Sequence, residues 1–472
     1  MKQRMTLLAL VVLLAALPIQ AASVDTGLAD FSTYVAIGDS LTAGFASGGL
    51  AMEYQEGSYP ALIARQLGIE DFQQPLVSMP GIPPVLILEH LVPNPVIVRS
   101  SDTPGMPINA ELPRPYNNMG VPGANLYDLL NTTGDIMNLL AGNTDNVMHD
   151  LILRDGVHTQ LEQAIGLHPT FATMWIGAND ILGAAVYATP VEGVTMTPVD
   201  TFAAMYPQAL GALIEYTGAD VVVITIPYPT VIPFVTTIKP YITLPDGTHV
   251  PLIGSNGPLT EDCYVTLGAS QLLAQGIGIP AELGGTGQPL PEDLQLVGGQ
   301  VVPGVVLRPE EVQAINERVD AFNQVIADTA AAMGAHVLDI NPFLERVKNG
   351  FFIYGGFQLS TKFLLGGVFS YDGVHPQKVG YALVANEVIN LINEAYRADI
   401  PQVNLYEILV ADAYDEEASG ASAMSADPAR VFTDAAMQAL EKAFPLLGPL
   451  NSERGVEAGG LEGANPKLEP RH

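Results

Sequence analysis

Residues 34–45 read YVAIGDSLTAGF, an apolar run that breaks into a short polar turn. Tyr34, Val35, Ala36 and Ile37 are aromatic, β-branched or apolar, the side chains that favour a short buried strand. The run gives way at Gly38 to Asp39, Ser40 and Leu41. Gly38 permits a sharp turn, so Ser40 falls just past the strand end. In an open α/β sheet that edge is where ligands and reacting groups collect. A serine presented there becomes a nucleophile when a base lies beside it. Alone, Gly-Asp-Ser after a strand is more often a plain turn, so the rest of the chain has to carry the inference.

Outward from this stretch, strand and helix patterns alternate. Residues 58–68, SYPALIARQLG, predict a helix with Pro60 in its first turn and Gly68 at its end. Residues 116–131 predict a turn rich in Asn, Gly and Pro, then a helix from near Ala124. Residues 158–166 and 201–217 predict helices, and 171–177 (FATMWIG) and 220–226 (DVVVITI) predict buried strands. Trp175, the only tryptophan, is most simply a core residue. Pro309 opens a long helix with Val312, Ile315, Val319, Phe322, Val325 and Ile326 at helical spacing, and Gly334 closes it. Residues 336–341, HVLDIN, predict the last sheet strand, and Pro376 opens a final helix to about Arg397. No repeat period is evident. This order predicts an α/β fold, a parallel sheet covered by helices on both faces.

Two stretches break the pattern. Between residues 72 and 115, prolines from Pro75 to Pro115 interrupt apolar text such as VLILEHLV, which forbids a long helix or a central strand. An irregular insertion follows, either a wall or lid near a site or a purely structural loop. Residues 227–308 predict a second insertion, with a hairpin at the Asp246-Gly247 turn and a short helix around 266–275.

Hydrophobic residues form 48% of the 472 residues and charged residues 15%, a globular composition. Fifty acidic against 19 basic residues give a formal charge of −31, which repels nucleic acid and anionic membrane. The one cysteine, Cys263, admits no intrachain disulfide and reads as a buried thiol. Lys2 and Arg4 precede an apolar run from Leu7 to Leu17, followed by small residues around Ala21, the layout of a secretory signal over 1–21. That run is short for a bilayer span, so export without a stable membrane span is expected. The main domain is expected over residues 30–400. An acidic extension follows over 411–472, with one more helix from Asp427-Pro428 to about Phe444 and a disordered end from 451.

Three expected sheet-edge loops carry Ser40, Gly123 and Asn179, and a fourth, YDGVHP, carries Asp372 and His375. Acyl transfer from an ester needs such a set. An imidazole takes the serine proton near neutral pH. A carboxylate fixes its tautomer, and N–H donors meet the oxyanion. Asn179 offers a side-chain N–H, and Gly123 and Ser40 offer backbone N–H groups. The other histidines, His90, His149, His158, His168, His249, His336 and His472, lack comparable company in the sequence. Asp39 and Asp180 read as loop-bracing acids, with Asp180 the alternative carboxylate. No G-x-S-x-G elbow, H-E-x-x-H or P-loop occurs.

The chain resembles the GDSL or SGNH hydrolase family. The blocks that carry the resemblance are Gly38-Asp39-Ser40-Leu41, Asn118-Met119-Gly120-Val121-Pro122-Gly123, Gly177-Ala178-Asn179-Asp180 and Asp372-Gly373-Val374-His375-Pro376, in the family's order. The resemblance implies nucleophile Ser40, general base His375, orienting Asp372, and an oxyanion hole from Ser40, Gly123 and Asn179. It further implies a flavodoxin-like α/β/α sandwich, no cofactor and no metal. Gly120 is the alternative donor in the second block. Gly123 is preferred because it directly precedes the helix. The expected activity is an exported serine esterase or lipase acting on aliphatic or lipid acyl esters. The rivals are a carbohydrate O-deacetylase and a non-catalytic binding protein on the same scaffold.

Overall fold

A computed structural model describes residues 24–409 apart from 92–94, 142, 143, 145, 298, 299 and 355. The expected signal segment, the helix at Asp427-Pro428 and the acidic extension lie outside the described residues. Five parallel strands form the central sheet: β1 (Tyr34–Gly38), β2 (Asn118–Gly120), β3 (Phe171–Trp175), β4 (Asp220–Ile224) and β5 (His336–Leu338). Their spatial order is β2-β1-β3-β4-β5, with Ala36 opposite both Asn118 and Thr173, and Val222 opposite both Thr173 and His336. This is the flavodoxin-like order, and its switch point lies at β1 and β3.

Helices cover the sheet, all of those named here but the first delimited by sequence signals. They are α1 (Ser40–Ala43), α2 (Tyr59–Gln66), α3 (Leu126–Asn131), α4 (Gln160–Gly166), α5 (Val199–Thr217), α6 (Pro309–Met333) and α7 (Lys378–Tyr396). Helix α5 packs on α3, α4 and α6, while α7 packs on α2, which gives the three layers. The caps explain the bounds. Ser58 accepts the Ala61 N–H at the start of α2, and Thr159 and Glu162 form a capping box on α4. Gly334 ends α6 in the left-handed region at φ 78°.

The core sits on both faces of β1, β3 and β4. All five residues of β1 are buried, as are Val222, Val223 and Ile224. On α6, Ile315, Val319, Phe322 and Ile326 are buried, and Val312 and Val325 pack at the margin. Phe322 stacks on Phe202 of α5 with ring centroids 4.1 Å apart. Trp175 is buried and donates its indole N–H to the Thr225 carbonyl at 3.0 Å, and Cys263 is buried.

One strand escapes the sequence reading. Asn118–Gly120 was expected as a turn, since Asn and Gly are poor strand formers, yet it pairs with β1 as the sheet edge. A Cβ on Gly120 would lie 2.3 Å from the Ala43 nitrogen, so only glycine lets this edge close on α1.

The proline-rich segment stays outside the central sheet as expected. It carries an antiparallel hairpin of Leu86–His90 with Val96–Arg99. The second irregular segment carries the hairpin Tyr241–Thr243 with His249–Pro251, whose Gly247 takes φ 84°. A short helix, Ser270–Ala274, falls where one was expected. Arg308 ties this segment to the start of α6 through two hydrogen bonds to the buried Glu292, at 2.6 and 2.9 Å. Among the described residues no helix is long and apolar enough to cross a membrane.

The Phe202–Phe322 stack joins α5 to α6. Phe322→Ala should destabilise the fold by about 3–5 kcal/mol, read from urea denaturation, because a wholly buried ring is lost and a cavity remains.

Candidate active site

The site hangs from the C-terminal ends of β1 and β3. A Cβ on Gly38 would lie 2.2 Å from both the Trp175 carbonyl and the Thr42 hydroxyl, so the chain can leave β1 here only through glycine. Asp39 then caps α1, its Oδ1 accepting the Leu41 N–H at 2.9 Å. That cap makes Ser40 the first residue of α1. Tyr381 of α7 donates to the Phe45 carbonyl at 2.7 Å and holds the far end of the same turn.

His375 arrives from the loop before α7. Its Nε2 lies 2.9 Å from Ser40 Oγ, and its Nδ1 lies 2.9 Å from Asp372 Oδ2. Ser40 and His375 are 7% and 8% exposed, so this contact is shielded from bulk water. The loop is a tight turn in which Gly373 donates to the Ser370 carbonyl and Ser370 donates to the His375 carbonyl. Phe45 lies against the imidazole, with centroids 4.8 Å apart.

The Asp372 carboxylate is saturated with donors. Oδ1 accepts the Val374 N–H, the His375 N–H and the Ser370 hydroxyl at 2.8, 2.9 and 3.0 Å. Oδ2 accepts the Gly48 N–H at 2.8 Å besides the imidazole. Burial pushes this carboxyl up, but the charge of His375 and these hydrogen bonds outweigh it and hold the acid below its ordinary value.

The second and third sequence blocks are lashed together. Asn179 donates one amide hydrogen to the Ala124 carbonyl at 2.9 Å, which leaves its second hydrogen for another acceptor. Asp180 accepts the Leu126 N–H at 2.9 Å and the Thr197 hydroxyl at 2.7 Å. It therefore braces loops, as its sequence setting suggests, and lies apart from His375 Nδ1, which Asp372 occupies. The Gly120 N–H is taken by Asn118 Oδ1 at 3.0 Å. Gly123 adopts φ 83°, and among the described residues its N–H has no acceptor. Of the two second-block glycines, Gly123 keeps the free donor.

Several groups at the site escaped the sequence reading. Buried Gln160 donates to the Gly38 carbonyl at 2.6 Å and also to the Met119 carbonyl, pinning β1 to β2 at the site edge. Gly48, Ser370 and Tyr381 had no signal, because each acts on a partner more than 300 residues away or through a backbone atom. Two further histidines do have carboxylate company: His158 with Asp155 and His249 with Glu261, both at 2.8 Å. Both pairs lie on the surface, in contrast to the shielded His375. Among the described residues no group of three or more His, Cys, Asp or Glu is placed to hold a metal ion.

The model of the GDSL-like lipase/acylhydrolase family matches residues 34–388, three quarters of the chain. The chain belongs to this family. Members of it hydrolyse ester bonds, and the matched span holds all four blocks of this GDSL hydrolase. No curated protein matches significantly. Among solved structures, an extracellular lipase from Streptomyces rimosus is 17% identical, aligned over 77% of this chain and 98% of its own, with a TM-score of 0.30. A lipase/acylhydrolase from Enterococcus faecalis is 14% identical over 78% and 98%, with a TM-score of 0.30. An acetyl-xylooligosaccharide esterase from Geobacillus is 12% identical over 78% and 96%, with a TM-score of 0.33.

Two more acids of this GDSL hydrolase have unusual ionisation. Burial raises Asp39 from 3.8 to about 7, partly offset by the Leu41 N–H and His375. Burial likewise raises Asp180 to about 7 against its bonds from Leu126 and Thr197. Both folded values lie above the unfolded one, so the folded chain holds protons that the unfolded chain releases. Stability from these groups is therefore full in acid and falls as pH rises toward 7. Asp372 has the opposite sign: its stabilisation is present above the ordinary value and lost as pH falls through the lower folded one. Asp39→Asn keeps an oxygen for the Leu41 N–H and removes one proton. The drop in urea midpoint between about pH 5 and pH 8 should be smaller in this variant than in the parent chain.

Proposed function

We propose that the chain is an exported serine esterase or lipase that cleaves aliphatic or lipid acyl esters through an acyl-enzyme on Ser40. The observation that carries this reading is the position of His375, hydrogen-bonded at 2.9 Å to Ser40 on one side and to Asp372 on the other. Both ring nitrogens are thereby committed, one to the nucleophile and one to the orienting acid.

Ser40 Oγ attacks the ester carbonyl carbon as its proton passes to His375 Nε2. The carbonyl oxygen becomes an oxyanion and takes the backbone N–H groups of Ser40 and Gly123 and the second amide hydrogen of Asn179. Asp372 holds the imidazolium. Collapse expels the alkoxide, which leaves as the alcohol with the proton from Nε2, and Ser40 keeps the acyl group. Water then gives a proton to Nε2 and attacks the acyl carbon. The second collapse releases the carboxylic acid and restores the Ser40 hydroxyl. Every step uses groups of this chain and needs no external reductant or oxidant.

The substrate side of the reading rests on apolar surroundings. Phe45 forms one wall against His375. The Leu267 side chain of the second irregular segment lies against Gly373 within the His375 loop, where the Phe234 N–H donates to the Gly373 carbonyl at 2.8 Å. Export rests on the charged, apolar and small-residue layout of residues 1–21.

Purified chain should hydrolyse p-nitrophenyl esters, and Ser40→Ala should abolish turnover while its thermal unfolding stays near that of the parent. A rate optimum at medium or long acyl chains supports the lipid-ester reading. An optimum at acetyl with release of acetate from acetylated xylan replaces it with a carbohydrate deacetylase. Equal inactivity of parent and variant on every ester overturns catalysis. Asn179→Ala should lower kcat by roughly 10²–10³-fold with less effect on KM, since its donor matters most once the oxyanion has formed.

A further inference from the structure

The Asp372 carboxylate is gripped from a turn that belongs to the nucleophile's own segment. Residues Ala46 to Gly49 close on themselves through two hydrogen bonds of 3.1 Å between Ala46 and Gly49. At the tip, the Ser47 N–H donates to Ser370 Oγ at 2.8 Å and the Gly48 N–H donates to Asp372 Oδ2 at 2.8 Å. Ser370 is wholly buried, and its hydroxyl donates a hydrogen bond to Asp372 Oδ1 at 3.0 Å. One hydroxyl thus accepts from the turn and donates to the acid, joining residues 323 apart in sequence to the His375 loop.

The proline-rich segment clamps that turn. The Leu86 N–H donates to the Ser47 carbonyl at 2.7 Å. Leu50 and Ile82 exchange two hydrogen bonds of 2.9 Å. A Cβ on Gly49 would lie 2.2 Å from the Pro83 carbonyl, so the two backbones touch. Ser47 itself takes φ 52°, a left-handed conformation that a non-glycine residue adopts only when its surroundings impose it. Wall, lid and plain loop were the readings open to this segment from sequence. The contacts set it against the turn that bonds Asp372.

We propose that Ser370 is a positioning residue that fixes the Asp372 carboxylate by joining it to the Ser47–Gly48 turn, and that the proline-rich segment holds this turn in place. The inference rests on the acyl-hydrolase reading above. A carboxylate with all lone pairs engaged cannot rotate, so Oδ2 stays aimed at His375 Nδ1 and the imidazole stays aimed at Ser40. The titratable groups around it are His375 on the same loop, Asp39 beside the nucleophile and Tyr381 on α7.

Ser370→Ala removes a donor to the carboxylate and leaves the Ser47 N–H without an acceptor. Turnover of p-nitrophenyl butyrate should fall roughly tenfold or more with KM little changed, because a hydrogen bond to a charged group is lost. The acid limb of the kcat/KM profile should move to higher pH, since the charged carboxylate loses support. Ser370→Thr, which keeps the hydroxyl, should restore much of the rate and the original limb. Proton NMR of the His375 Nδ1–H should show its resonance displaced in Ser370→Ala. If that variant is too unstable to purify, Ser370→Cys keeps the volume, weakens the donor and takes the same readouts. Unchanged kcat, pH limb and Nδ1–H resonance together overturn the proposal. Loss of rate with an unmoved limb and resonance also overturns it, since a packing defect alone would do that. If the parent chain hydrolyses no ester, the acyl-hydrolase reading fails, and the NMR comparison still decides the bridge from Ser370 to Asp372.

Discussion

The pairing of Tyr34–Gly38 with a parallel strand on each side is the constraint on which the site depends. Gly38 stands level with Gly120 on one flank and Trp175 on the other. The three chains therefore leave the sheet at one height and at one place, the switch point. Two of those neighbours demand glycine for steric reasons. Gly38 has the Trp175 carbonyl and Thr42 against it, and Gly120 has the backbone of α1. Gln160 then bridges the Gly38 and Met119 carbonyls from the neighbouring helix layer. A wider residue at either glycine would lift α1 and move Ser40 away from His375.

Around that edge the chain spends buried polar groups on loops. An unpaired polar group in such surroundings is costly, and at this edge Asp39 Oδ2 and Gln160 Oε1 are the buried side-chain oxygens without a partner among the described residues. Asn179 and Asp180 reach across to Ala124 and Leu126, and Thr197 reaches back to Asp180. The same two residues thus hold the turn that carries Gly123. The loop with Asp372 and His375 is fixed in a different way, by its own backbone and by the turn after α1. Rigidity here comes from many local bonds among irregular segments, and the regular elements serve to aim them.

Three aspartates within this region show how surroundings set ionisation. All are buried. Asp372 has five donors, the His375 imidazole among them, and its carboxyl stays below the ordinary value. Asp39 has one donor to Oδ1 and none to Oδ2, and burial wins. Asp180 has two donors and still sits near 7. The difference lies in the count of donors and the nearness of positive charge, since burial is common to all three.

The alternation of strands and helices, the ends of most helices and the four blocks are legible in the sequence alone. These are local signals: apolar period, capping side chains, Pro at helix starts and Gly at their ends. The sequence also placed Ser40, Asn179, Asp372 and His375 at the ends of elements, where a short motif fixes position without knowledge of the partner. The edge strand Asn118–Gly120 was invisible, because its residues have little strand preference and only pairing with β1 makes it one. That the Gly120 N–H is occupied by the Asn118 side chain while the Gly123 N–H has no acceptor among the described residues was likewise invisible in the sequence. The contacts of the proline-rich segment with the Ser47 turn, the hydrogen bonds of Gly48 and Ser370 to Asp372, and the bridge by Gln160 exist only in the folded chain. Each is a hydrogen bond between residues distant in sequence, often through a backbone atom that every residue possesses, so no pattern of side chains could announce it.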